Sequence, residues 1–196
     1  GNAVVLKPSE VATTVETLLA ELIPQYLDPH AVRVVRGGPD VVHNMMDAGP
    51  DYVFFTGSPR VGAIIGQACA QRQIDYTLEL GGQSPVYVHD DANLSVTAKR
   101  LVWGKFFNAG QTCVAPNHIY VHEAIAEQLQ AAILTELTRQ FGTDHITNPD
   151  YPRMITPEHT RSLMHVLEVS QATVVYGGQA DPQQRYMAPT IVTNVT

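Results

Sequence analysis

The chain has 196 residues, 44% of them hydrophobic, with 12 Lys and Arg against 19 Asp and Glu and a formal net charge of -7. This apolar content supports one sizeable core or two small ones and excludes a disordered tail, while the acidic balance would repel a phosphate backbone and argues against a nucleic-acid partner. No apolar run approaches the roughly 20 residues of a membrane helix, and Cys69 and Cys113 are the only cysteines, so a chain with no membrane segment and no disulfide framework is expected, in a reducing compartment such as the cytoplasm.

Gly1 rather than Met opens a strand-like segment, so the sequence is expected to begin inside a longer chain. Ala3-Val4-Val5-Leu6 reads as a short buried strand, and Pro8-Ser9-Glu10 as the start of a helix capped by Ser9, with Val11, Val15, Leu18, Leu19 and Leu22 at helical spacing. Val32 to Val35 before Gly37-Gly38 is a second strand, Val41 to Met46 a short helix, and Tyr52 to Phe55 a third strand. That strand runs through Thr56-Gly57-Ser58 into a helix from about Val61 to Gln71, whose Gly62, Ala63 and Gly66 permit close packing on a sheet. Thr77 to Leu80 is a fourth strand. Strands alternating with helices point to a parallel, doubly wound α/β sheet.

Gly81-Gly82 interrupts the pattern, which predicts a boundary between residues 1–81 and 82–196. The second part restarts with strand Val86 to Val88, a helix from about Ala92 to Phe107 and strand Ile119 to Val121. Ile125, Leu129, Ile133 and Leu137, each four apart, mark an amphipathic helix to Phe141. A helix over about Pro157 to Ser170 and strands at Thr173 to Tyr176 and Thr190 to Val192 complete the series.

Several residues carry chemistry. In Phe106-Phe107-Asn108-Ala109-Gly110-Gln111-Thr112-Cys113 a helix ends and a Gly turn presents a lone Cys, where free backbone N–H groups favour the thiolate; a small buried hydrophobe is the alternative. Cys69, within helical Ile65 to Ala70, reads as core. Glu79 lies between two leucines before Gly81-Gly82. It is either a carboxylate raised in pKa by burial and suited to act as a general base, or an edge-strand residue facing water. Gly57-Ser58 joins a strand to a helix through a glycine, and phosphates bind at such helix starts, but without a full G-x-G-x-x-G the same turn is also a plain connection. Lys7, Ser9 and Glu10 stand at the carboxyl end of the first strand, where open parallel sheets bind ligands; they are ribose contacts or solvated charges. His118 and His122 have i, i+4 spacing, but Ile119-Tyr120-Val121 between them favours a strand, so no metal site is expected.

Taken in order, Gly1-Asn2-Ala3-Val4-Val5-Leu6-Lys7-Pro8-Ser9-Glu10, Phe54-Phe55-Thr56-Gly57-Ser58, Leu78-Glu79-Leu80-Gly81-Gly82 and Gly110-Gln111-Thr112-Cys113 resemble the motifs of aldehyde dehydrogenases across essentially the whole chain. Trp103-Gly104-Lys105-Phe106, Cys113-Val114-Ala115-Pro116 and Ala188-Pro189-Thr190-Ile191 are most similar to the class 3 branch. The resemblance implies a doubly wound cofactor domain, partial in this chain, over 1–81 and a partial α/β catalytic domain over 82–196. It implies Cys113 as nucleophile and Glu79 as general base. Lys7, Ser9 and Glu10 are then expected near the adenosine ribose, Gly57, Ser58, Val61 and Gly62 beside the cofactor pyrophosphate, and Leu80 and Gly81 near the nicotinamide. Gln83 departs from the Lys usual after the two glycines, which removes no reacting group.

The implied reaction oxidises an aldehyde to a carboxylic acid with NAD or NADP, in an enzyme expected to be a homodimer. The family's Asn-containing oxyanion motif and its Glu-Glu-Ile-Phe-Gly-Pro type cofactor motif do not occur in the sequence, so the chain is expected to be a central part of such an enzyme, inactive by itself. The rival readings are a truncated binding module without turnover and a cysteine-dependent esterase or acyltransferase that uses no nicotinamide.

Overall fold

A computed structural model describes residues 1–195, which divide into two compact units, Gly1–Leu80 and Gly81 onward. The first unit contains two strand-helix-strand elements. β1 (Val4–Leu6), α1 (Thr13–Tyr26) and β2 (Val32–Val34) form one; β3 (Tyr52–Gly57), α3 (Pro59–Arg72) and β4 (Asp75–Leu80) form the other, with α2 (Pro39–Asp47) between them. Both strand pairs are parallel, β1 on β2 and β3 on β4, because a helical crossover returns the chain to the same edge.

Side-chain caps start three of the six α-helices described. Ser58 caps α3 with its Oγ accepting from the Val61 N–H at 3.3 Å, and Pro59 follows at the first helical position, where a missing N–H costs nothing. The first helix departs from expectation. It starts at Thr13 rather than after Pro8, its cap position is Ala12, and Ser9 contributes only its backbone carbonyl, which accepts from the Ala12 N–H at 3.0 Å. Lys7 and Glu10 bond to each other here, which holds residues 7–10 in a turn and delays the helix.

Alternation along β3 and β4 sets which side chains meet α3. A Cβ at Gly62 would lie 2.5 Å from Leu80 Cδ2 and one at Gly66 3.4 Å from Leu78 Cδ1, so small residues on α3 let β4 press against it. Met46, Ile65, Cys69 and Ile74 form the buried core of this unit. The opposite sheet face, with Tyr52 54% and Phe54 66% exposed, carries no covering layer among the described residues.

The second unit opens with another parallel pair, β5 (Val86–Val88) on β6 (Ile119–Val121), joined through α4 (Leu94–Phe106) and a 3₁₀ turn at Phe107–Gly110. Asn93 caps α4, its Oδ1 accepting from the Val96 N–H at 3.1 Å. After a short 3₁₀ turn at Glu123–Ile125 come α5 (Ala126–Phe141) and α6 (Pro157–Val169), the latter capped by Thr156. The last strands are antiparallel, β7 (Thr173–Tyr176) with β10 (Ile191–Thr193), and β8 (Ala180–Asp181) with β9 (Tyr186–Met187). Purely parallel pairing therefore does not extend past β6, because the short polar turns after β7 allow hairpin-like returns. Leu129, Ile133 and Leu137 on α5 meet Ala98, Leu101, Val102 and Phe106 on α4, with Val88, Tyr151, Tyr186 and Ala188 closing the core.

Leu137 is 0% exposed at the centre of that core. In the complete polypeptide, Leu137→Ala should lower stability by about 2–5 kcal/mol through lost transfer energy and a residual cavity, whereas Asn93→Ala should cost about 1 kcal/mol. Urea denaturation checks the order; equal midpoints for the two variants would contradict the packing described.

Candidate active site

Each parallel pair of the first unit gathers polar groups at its carboxyl end. After β1, the Lys7 ammonium donates to Glu10 Oε2 at 2.8 Å, to the Gly37 carbonyl at 2.7 Å and to the Pro8 carbonyl at 2.9 Å, so all three of its protons are engaged. Lys7 is half-buried, and Glu10 is exposed with its carboxyl held below the usual range chiefly by the Lys7 hydrogen bond. Ser9, also exposed, stands between them. Glu16 is buried beneath this turn, accepting from the Gly37 N–H at 3.3 Å with Arg36 Nε at 3.5 Å, which supplies the partners an interior carboxylate requires. Gly37, after β2, is thus tied to the end of β1 through Lys7 and to α1 through Glu16. Gly37, Glu16 and Arg36 are not candidate site residues by sequence, where the Gly37-Gly38 pair after a strand was the available signal.

At the second pair, Gly57 stands opposite Leu80 and Thr56 opposite Glu79, so the Gly57-Ser58 turn and Glu79 share one sheet edge. The start of α3 is a positive dipole end. Its Val61 N–H is already held by Ser58, and Pro59 has none to offer. Leu80 turns its side chain onto Gly62, so only its backbone is available at the edge. Glu79 is exposed. The burial expected from its two leucine neighbours does not occur, because alternation sends Leu78 and Leu80 toward α3 and Glu79 to the opposite, uncovered face. Its claim to chemistry therefore rests on its place at the strand edge and not on desolvation.

In the second unit the two cysteines' contrast is resolved from the side of Cys113. It is exposed and unpaired, whereas Cys69 of the first unit is fully buried and its thiol is pushed up in pKa by desolvation. Cys113 follows a tight chain reversal. Asn108 and Ala109 both have φ 53° and ψ 32°, and Gly110 has φ +78°, three successive residues in left-handed backbone. Asn and Gly tolerate this region; Ala does not, at a cost of about 1–2 kcal/mol. The Ala115 N–H donates to the Thr112 carbonyl at 3.0 Å, which places Cys113 at the bend of a turn whose far end, Ala115, is buried. The Cys113 carbonyl accepts from Ser84 Oγ at 3.4 Å, and a Cβ at Gly82 would come within 3.1 Å of that same carbonyl oxygen, so glycine there permits the approach. Gly81, like Gly82, is exposed.

Lys105 reaches under the reversal, its Nζ 3.6 Å from where a Cβ at Gly110 would project, and burial pushes its ammonium down in pKa. A groove of about 640 Å³ opens beside the turn, lined in part by Trp103, Phe107, Asn108, Phe141 and Pro152. Trp103 and Phe107, with ring centroids 5.6 Å apart, are 63% and 57% exposed. Lys105, Asn108 and Gln111 stand inside motifs quoted from the sequence but carry no role of their own there; the run Asn-Ala-Gly, with two left-handed formers, was the signal. His118 packs on Tyr120 while His122 lies beside His89, at opposite ends of β6, so the two histidines do not converge. Among the described residues, His89, Asp90 and Asp91 are grouped at metal-ligand spacing, all exposed, with an oxygen of Asp90 2.6 Å and one of Asp91 3.1 Å from His89 Nδ1.

The family model described as the aldehyde dehydrogenase family matches residues 1–196. Aldehyde dehydrogenase family 3 member B3 of Mus musculus is 44% identical over 195 residues, which is 100% of this chain and 40% of the mouse protein. The substrate-bound Staphylococcus aureus AldH superposes with a TM-score of 0.93 at 39% identity, over 100% of this chain and 43% of that one. An Escherichia coli NADP-dependent enzyme gives a TM-score of 0.88 at 28% identity, over 99% of this chain and 42% of its own. The chain spans about 40% of the length of the curated relatives it matches. With the family model matching it from end to end and the fold superposing at a TM-score of 0.93, the chain belongs to the aldehyde dehydrogenase family.

Proposed function

We propose that this chain supplies the nucleophile, the deacylation base and part of the cofactor contacts of an enzyme that oxidises aldehydes to carboxylic acids with NAD(P)+. The observation that carries the reading is the contrast between an exposed Cys113 on a backbone reversal and a sealed Cys69. Residues 1–81 are assigned to cofactor binding and 82–196 to catalysis. Cysteine usage supports a cytoplasmic setting, and family membership supports a homodimer. No helix among the described residues is long and apolar enough to cross a membrane.

The residues present suit a dinucleotide. Glu10 keeps acceptor capacity for ribose hydroxyls, and because Lys7 already has its protons engaged, Lys7 acts first by fixing Glu10. The Gly57-Ser58 turn, with Val61 and Gly62 opening α3, offers the helix N-terminus that a pyrophosphate favours, where the Val61 N–H would pass from Ser58 Oγ to a phosphate oxygen. Ser9 lines the Lys7–Glu10 turn, while the Leu80 backbone and Gly81 are assigned to the nicotinamide end. When bound, NAD(P)+ supplies the hydride acceptor.

On the chain's own residues the steps are these. The Cys113 thiolate adds to the aldehyde carbon, its S–C bond forming as the carbonyl π-electrons move to oxygen. Turn N–H groups, including that of Cys113, stabilise the oxyanion, and re-formation of the C=O bond with loss of hydride leaves a thioester. Glu79 removes a proton from water as it attacks the thioester, so that the acid and the Cys113 thiol are released. The exposed Trp103 and Phe107 beside the turn favour aldehydes with an aromatic or long apolar tail, which cover that surface on binding.

Four outcomes are expected in the complete polypeptide. Iodoacetamide should modify Cys113 and spare Cys69, and Cys113→Ser should abolish dehydrogenase turnover; labelling confined to Cys69 would sink the assignment. Glu79→Gln should slow deacylation by on the order of 10²- to 10⁴-fold while keeping the first-turnover burst of nicotinamide absorbance, and loss of that burst in a folded variant would remove Glu79 from this role. Trp103→Ala should raise KM for apolar-tailed aldehydes more than for acetaldehyde, as steady-state kinetics on both will tell.

A further inference from the structure

Gln111 precedes Cys113 by two residues, and its side-chain amide is almost completely engaged. Nε2 donates to the Asn108 carbonyl at 3.0 Å and to the Arg153 carbonyl at 3.1 Å, and Oε1 accepts from the Ile155 N–H at 2.8 Å. Its backbone is bound to the same reversal, with the Gln111 N–H donating to the Asn108 carbonyl at 3.1 Å and Asn108 Nδ2 donating to the Gln111 carbonyl at 3.1 Å. Both amide protons and one carbonyl lone pair are thus used in a half-buried position, an arrangement only glutamine can satisfy at this reach.

The other ends of these bonds are firmly held. Tyr151 is buried and its hydroxyl donates to the Met187 carbonyl at 3.0 Å; Met154 is buried and its N–H donates to the Arg185 carbonyl at 2.8 Å. Residues 153 and 155 flank Met154 and share this anchorage. Gln111 therefore connects a segment fixed to the core with the left-handed residues Asn108 and Ala109, whose preferred right-handed conformation would carry the following chain elsewhere. No side chain other than that of Gln111 bonds both partners among the described residues.

We propose that Gln111 is a positioning residue: by clamping Asn108 to the Arg153–Ile155 backbone, it holds the chain reversal that aims the Cys113 thiol at the substrate. The inference rests on Cys113 as the nucleophile. Gln111 touches no reacting atom and acts through the backbone ahead of the thiol. A displacement of about 1 Å at a nucleophile costs on the order of 10²-fold in rate, so loss of the clamp should be visible in the chemical step without altering cofactor binding.

The test uses Gln111→Met, of similar shape but without hydrogen bonds, and Gln111→Glu, which keeps the acceptor to Ile155 but places carboxylate oxygen against the Asn108 and Arg153 carbonyls. Cys113→Ser serves as the reference, all in the complete polypeptide. Both Gln111 variants should lower the single-turnover hydride burst about 10²-fold. They should leave KM for NAD(P)+ unchanged and shift the pH profile of Cys113 alkylation, with circular dichroism of the unmodified enzyme retained. A wild-type burst and alkylation profile in folded Gln111→Met, with Cys113→Ser inactive, would overturn the positioning role. Turnover by Cys113→Ser would instead remove the nucleophile reading on which it stands. If one variant fails to fold, the other decides; if both fail, Gln111 belongs to stability alone and the proposal is wrong.

Discussion

Three successive residues in left-handed backbone, Asn108, Ala109 and Gly110, end α4 and turn the chain back toward β6. Such a run is unfavourable for Ala109 and must be held by contacts outside itself. Phe106, buried on α4, anchors it on one side, and the Gln111 amide ties it to residues 153 and 155 on the other. The exposure of Cys113 follows from this constraint. A helix continuing past Phe107 would have kept the next residues on its own surface, and a relaxed loop would have left the thiol without a defined direction. Cys69 illustrates the alternative: within an unbroken helix facing the core, the same side chain is sealed and its thiolate disfavoured.

The first unit reaches its candidate site by a different route. Parallel strands joined by helices end on one side with their carbonyls and loops, and both pairs place polar side chains there: Lys7 and Glu10 after β1, Ser58 and Glu79 at the edge of β3 and β4. Saturation of Lys7 by Glu10, Gly37 and Pro8 makes that turn a preformed structure. Glu16 beneath it is retained in the interior because the Gly37 N–H and Arg36 meet its two oxygens. Close packing of Gly62 on Leu80 sets how near the α3 N-terminus comes to the strand edge, so a packing residue also determines where a phosphate would meet the helix dipole.

The two units differ in how much of their surface chemistry was legible. The helix of the second core was readable to the residue, since Leu129, Ile133 and Leu137 recur every fourth position and all three are buried. Ser58 and Asn93 were recoverable as helix caps from residue type alone, but Ser9, an equally suitable type, is not a cap. Its neighbours Lys7 and Glu10 pair with each other and keep the segment in a turn until Thr13. The antiparallel returns among β7 to β10 carry too few residues per strand for periodicity to report a direction.

By itself the sequence determined the order of strands and helices apart from the two-residue strands β8 and β9, the parallel pairing expected of strand-helix-strand units, the identity of Cys113 as the cysteine on a turn, and the family, because these depend on local periodicity, turn-forming residues and the order of short motifs. Tertiary structure alone decided that Glu79 faces outward while its leucine neighbours pack on α3, that Lys7 has its protons engaged, and that Gln111 binds residues 42 to 44 positions away. Hydrogen-bond partners and exposed faces depend on which distant segments arrive at a residue, and neither spacing nor residue type along the chain contains that information.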